Sequence, residues 1–128
     1  MEIIPTYVTW EQAKWLKEKG LVSDCKRYWV NYSNSEYKEM SNIQLEDLDR
    51  EVGIGGNLII PKYEQWQVVE WLRVNHGIWV YVKQGYLWEW YIETIENNPV
   101  LVHRDGLENS PQEAYSAAFD YIKDKELI

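Results

Sequence analysis

Cysteine is nearly absent: Cys25 stands alone among 128 residues, so no disulfide can form within the chain. That fits a reducing compartment. Histidine is almost as scarce, and His76 and His103 have neither H-x-H nor H-E-x-x-H spacing, so no zinc site is expected. Positive charge is short too: 13 basic against 21 acidic residues leave a formal charge of −8. Such a surface repels nucleic acid and anionic membranes, and the basic pair Lys26-Arg27 is too thin to reverse that. Dense carboxylate runs of the kind that mimic DNA are also missing, Glu46, Asp47, Asp49 and Glu51 being the one cluster. No apolar run approaches the ~20 residues of a membrane span. Met1–Pro5 has neither the basic nor the apolar region of a signal peptide, and a cytoplasmic (host cell cytosol) location is expected. Gly53-Ile54-Gly55-Gly56 leads into an apolar segment with no Lys-Ser/Thr behind it, so it reads as a hinge and not a phosphate loop. No cofactor is expected.

What the chain does have is aromatic surface: eight Trp and ten Tyr beside a single Phe, with 45% apolar residues overall. A chain of this length can bury a core without a metal or disulfide. The strongest internal signal is a repeat. Ile3-Ile4-Pro5-x-Tyr7-x-x-Trp10-x-x-x-x-Trp15-Leu16 recurs as Ile59-Ile60-Pro61-x-Tyr63-x-x-Trp66-x-x-x-x-Trp71-Leu72 at a constant offset of 56 residues. Each copy reads as a strand end, a proline, a helix and a closing glycine, giving helices over about 7–19 and 62–75. On a helical wheel Trp10, Ala13 and Leu16 share a core face, as do Trp66, Val69 and Leu72, with Trp15 and Trp71 off that stripe. A third helix is marked by Ser110 as N-cap, Pro111 at the first helical position and Glu113 as capping-box partner, running to about Asp124, with Leu127-Ile128 tucked back. Strands are expected at 27–33, 78–83, 86–95 and 100–103, with turns at Asn97-Asn98-Pro99 and Arg104-Asp105-Gly106. The whole is an α+β fold: an antiparallel sheet of about three or four strands with helices packed on it. Residues 1–128 read as a single domain: a helix-strand unit (1–33), an acidic, glycine-ended connection (34–57) and an α-β-β-β-α unit (58–128). Ile43, Leu45 and Leu48 could give the connection a helical turn.

The hairpin carries the candidate site. With Gln84-Gly85 as a two-residue turn, Lys83 faces Tyr86, Tyr81 faces Trp88 and Trp79 faces Trp90. Alternation then gathers these six residues on one side as an aromatic wall, leaving Ile78, Val80, Val82, Leu87, Glu89 and Tyr91 on the other. Such a wall can stack planar ligands, with Lys83 and Arg73 supplying charge. It can equally be a second core layer covered by the first helix and Trp29. The proposed binding set is Trp79, Tyr81, Lys83, Tyr86, Trp88, Trp90 and Arg73. Catalytic readings are weak: Cys25 with a histidine and a carboxylate can be drawn as a triad, but no nucleophile-turn motif surrounds it.

The segments Thr9–Gly20, Ile60–Gly77 and Ser110–Tyr115 through Leu127-Ile128 resemble, in order and spacing, a group of small proteins encoded by phages and prophages of gut Bacteroidales. The resemblance implies an accessory protein and carries over no catalytic residue. The expectation is a non-enzymatic protein that sequesters a small planar or nucleotide ligand, or blocks a host protein, as a counter-defence. A self-associating protein with an aromatic dimer face is one alternative, and a small enzyme using Cys25 or a carboxylate is another.

Overall fold

The computed structural model describes residues 6–22, 27–32, 37–41, 57–95 and 100–128. The fold is α+β, and the chain divides into two compact units, Tyr7–Tyr63 and a second built on Glu64–Ile128. The division falls inside the second copy of the repeat and not at the acidic connection. Ile3 to Pro5, Cys25, Ile43, Leu45, Leu48, Gly53 to Gly56 and Asn97-Asn98-Pro99 lie outside the described residues, as does the side chain of Trp29.

In the first unit α1 (Trp10–Glu18) is followed by β1 (Arg27–Tyr32), β2 (Tyr37–Ser41) and β3 (Asn57–Pro61). The strands form an antiparallel sheet in the order β2-β1-β3, with Trp29 between Glu39 and Ile60. Part of the expected connection is therefore strand. Helix α1 starts at a reciprocal cap: the Thr9 hydroxyl accepts from the Gln12 N–H at 3.2 Å, and Gln12 Oε1 accepts from the Thr9 N–H at 3.0 Å. This pair stabilises the helix by about 1 kcal/mol and lets Gln12 lie buried. Ala13, Trp15, Leu16, Leu21, Ile60 and Tyr63 are buried with it, and the Tyr63 hydroxyl donates to the Leu21 carbonyl at 2.9 Å.

The second unit runs α2 (Gln65–His76), β4 (Ile78–Gln84), β5 (Trp88–Thr94), β6 (Leu101–Glu108) and α3 (Pro111–Asp124). Its sheet is an antiparallel meander, β4-β5-β6, and residues 27–32 pair in the other sheet instead of adding a fourth strand here. Gly77 ends α2 in the left-handed conformation at φ 63°, so a single residue turns the chain from helix into β4. Ser110 caps α3, accepting from the Glu113 N–H at 3.2 Å, with Pro111 inside the first turn. The Glu113 carboxylate takes the Asn109 N–H, one residue earlier than a capping box requires. Helix α2 packs on β4, and α3 packs across β4, β5 and β6. Val68, Leu72, Val80, Ile92, Ala114, Ala118, Phe119 and Ile122 are buried between them. Leu127 turns back to line a recess of about 290 Å³ beside Ile78 and Ile92.

Two expectations for the repeat need correction. Pro61 does not open its helix: it ends β3, and α2 begins at Gln65, where Gln67 Oε1 accepts from the Glu64 N–H at 2.9 Å; α1 likewise begins only at Trp10. Because the helices start later, Trp10 and Trp66 fall in their first turns, beyond the packed stripe, and are 37% and 64% exposed. The buried positions of α2 are Gln65, Val68 and Leu72, not Val69. The second tryptophan of each copy lies deeper: Trp15 is buried and Trp71 half-buried, its ring edge-on to His76 at 4.5 Å.

Candidate functional site

Strand register decides what the sheet shows to solvent. The hairpin pairs Gln84 with Trp88, Lys83 with Glu89, Val82 with Trp90, Tyr81 with Tyr91, Val80 with Ile92 and Trp79 with Glu93. The loop is thus the three residues Gly85-Tyr86-Leu87, closed by Gly85 N–H donating to the Leu87 carbonyl at 2.8 Å. Gly85 does not have the positive φ expected of it. One residue more in the loop turns every side chain of β5 to the opposite face. The reason is burial: the two-residue loop would set Glu89 opposite Val80 in the core, an uncompensated carboxylate costing several kcal/mol. The observed loop places Glu89, Tyr91 and Glu93 outward and Trp88, Trp90 and Ile92 inward.

The expected aromatic wall is therefore split. Trp79, Tyr81 and Lys83 share the outer face, as read from the sequence. Trp88 and Trp90 do not join them: both project to the helix-covered side, where Trp90 is only 5% exposed. There Trp90, His103 and Tyr121 form a cluster, with the His103 and Tyr121 rings stacked at 4.0 Å. Tyr86 is fully exposed at the loop and belongs to neither face. Arg73 lies exposed on α2, bonded to Glu70, away from this face.

The residues that complete the outer face come from positions assigned elsewhere. Tyr91 was expected on the aliphatic side, as was Glu89, and Arg104 in a turn. Strand β6 instead continues through Arg104-Asp105-Gly106, bulged against β5, with Tyr91 opposite Arg104 and Glu93 opposite Leu101. Glycine is required at 106: a Cβ there would stand 2.4 Å from the Glu89 Cα. The signal was present in the alternation of Trp88, Trp90 and Ile92 against Glu89, Tyr91 and Glu93.

On this face the Tyr81 and Tyr91 rings stack 4.9 Å apart and parallel within 1°, and Trp79 leans on Tyr81 at 4.9 Å with a 45° tilt. Lys83 Nζ lies 5.2 Å from the Tyr91 centroid and 5.6 Å from that of Tyr81, and the Arg104 guanidinium lies 5.4 Å from Tyr91. The Tyr81 hydroxyl donates to Glu93 at 2.5 Å and the Tyr91 hydroxyl to Glu89 at 2.6 Å. Arg104 reaches Glu89 at 3.5 Å. The bond to Glu93, chiefly, pushes the Tyr81 phenol up to about 12, and Glu89 likewise raises Tyr91. The Tyr91 hydroxyl, with Arg104 and Lys83, holds the Glu89 carboxyl below its ordinary value. Two cations and two carboxylates leave the face without net formal charge.

Among the described residues no group of three or more His, Cys, Asp and Glu side chains is placed to hold a metal ion, and no helix is long and apolar enough to cross a membrane. The chain matches no protein-family model, and no curated protein or solved structure shows significant similarity to it.

Proposed function

We propose that the protein acts by binding, without chemistry of its own, and that a protein partner docks on the outer face of β4-β5-β6. The observation that carries this is the Trp79–Tyr81–Tyr91 ladder, its tryptophan exposed and its tyrosines half-buried, with Arg104 beside it, the residue types that dominate binding energy at protein interfaces. Ring stacking and hydroxyl–carboxylate bonds hold the ladder before any partner arrives, which lowers the entropy lost on docking. Capture of an anionic nucleotide is the weaker reading. Two of the expected stacking rings, Trp88 and Trp90, face inward, and the cations already serve Glu89 and Tyr91. Taken with the resemblance to phage and prophage proteins, the partner is a host protein in the cytosol, and binding blocks it.

The test compares proteins retained from a Bacteroidales lysate by the wild type, by Trp79→Ala/Tyr91→Ala, and by Trp66→Ala on exposed α2, with sedimentation alongside. A partner kept by the wild type and Trp66→Ala but lost by the double variant is expected. Equal retention by all three sinks the reading. Mass that rises with concentration only in the wild type would make the partner a second copy.

A further inference from the structure

The two ends of the outer face repeat one arrangement, and the second adds a ring that no cation among the described residues covers. At the first end, the Tyr91 hydroxyl holds the Glu89 carboxylate at 2.6 Å, and Lys83 and Arg104 lie over the Tyr91 ring at 5.2 and 5.4 Å. Ring, carboxylate and cation are all present, and Arg104 also touches Glu89. At the second end, the Tyr81 hydroxyl holds the Glu93 carboxylate at 2.5 Å, and Trp79, directly across from Glu93, leans over Tyr81 at 45°. Ring and carboxylate recur there, with Lys83 5.6 Å from the Tyr81 ring, and Trp79 adds a better ring, since tryptophan has the most negative face. Among the described residues no lysine or arginine lies over Trp79, whose side chain is 46% exposed.

We infer that the Trp79–Tyr81–Glu93 corner receives a lysine or arginine side chain of the protein partner. The open side of Trp79 offers its π face to an ammonium or guanidinium, with Glu93, directly across on β5, as counter-charge. A partner carboxylate or phosphate at this corner would meet Glu93 and be repelled. The net charge of −8 acts in the same direction, drawing a basic segment toward the chain before contact. The inference rests on the binding reading above and names the chemistry of its partner.

Hexalysine and hexaglutamate peptides test it, titrated against tryptophan fluorescence and the NMR indole signals of the wild type, Trp79→Ala, Glu93→Gln and Glu18→Gln. Glu18 is exposed at the end of α1, so its variant removes the same unit charge far along the chain. Thermal melts establish that each variant folds. The expected result is saturable binding of hexalysine, shifting the Trp79 indole signal and weakened about two- to fivefold by Trp79→Ala and by Glu93→Gln, with Glu18→Gln unchanged. Equal weakening by both glutamate variants reduces the effect to diffuse charge and overturns the inference. So does hexalysine binding that leaves the Trp79 signal unmoved, or no saturable binding. Hexaglutamate binding that depends on Trp79 overturns the cation while leaving the docking face intact, whereas failure of the lysate comparison removes the face itself.

Discussion

Trp79 and Trp90 belong to neighbouring strands of one sheet, and each leans on other aromatic rings. Trp90 contacts His103 and Tyr121 beneath α3 and is almost wholly buried. Trp79 contacts Tyr81 and stays 46% exposed. The faces differ less in ring content than in what surrounds the polar tips. On the inner face a helix supplies apolar cover, so the rings contribute mainly through burial. On the outer face the tyrosine hydroxyls end on Glu89 and Glu93, which fixes ring positions while leaving their surfaces open. Aromatic residues of the same kind thus hold the unit together on one side and stand ready for contact on the other.

The sharpest way to break this comparison is one substitution on both faces. Trp90→Ala should destabilise the protein by about 3–5 kcal/mol, while Trp79→Ala should stay within about 0.5 kcal/mol, both by urea denaturation. Similar losses would mean the outer face is covered in solution. Next in size, Gly106→Ala forces β6 away from the Glu89 backbone and should cost about 1–3 kcal/mol by the same measurement. A neutral result would show that the close approach at the bulge is relieved in solution. The smallest effect concerns the polar tips. Tyr81 ionises at about 12 when folded against 10.0 for an unperturbed phenol, so the folded state favours the protonated form. Its contribution is fully present below pH 10 and is lost as pH rises toward 12. In a phenolate absorbance titration, with Tyr81→Phe as the difference standard, Glu93→Gln should return this tyrosine toward its ordinary range. An unchanged titration would remove the Tyr81–Glu93 bond from the picture.

Local signals were readable in the sequence where a few neighbouring residues decide the outcome. Ser110-Pro111 marks the start of α3 because the cap and the first helical position need only those side chains. The order α2-β4-β5-β6-α3 follows from periodicity and glycine punctuation in the same way. What escaped depended on a single residue's displacement. Gly85 suits a two-residue turn, but the loop takes three, and the faces of β5 exchange. Arg104-Asp105-Gly106 has turn composition, yet a bulge accommodates it within β6. The wheel drawn through Trp10 and Trp66 assumed helices beginning at the prolines. The caps at Thr9–Gln12 and Glu64–Gln67 set later starts and moved both tryptophans off the packed stripe. For the site, Trp79, Tyr81 and Lys83 were found from alternation along β4. Glu89, Tyr91, Glu93 and Arg104 were missed, because their face depends on pairing between strands.

The pairing of Gln84 with Trp88 also constrains how this chain can vary. Paired residues share a face whatever the length of the loop between them, so a residue added or removed at Tyr86 changes the turn and leaves Glu89, Tyr91 and Glu93 outward. An insertion inside β5 (Trp88–Thr94) acts differently, because every side chain beyond it exchanges faces. Length changes among sequences that keep the fold should therefore gather at the loop and avoid the strand.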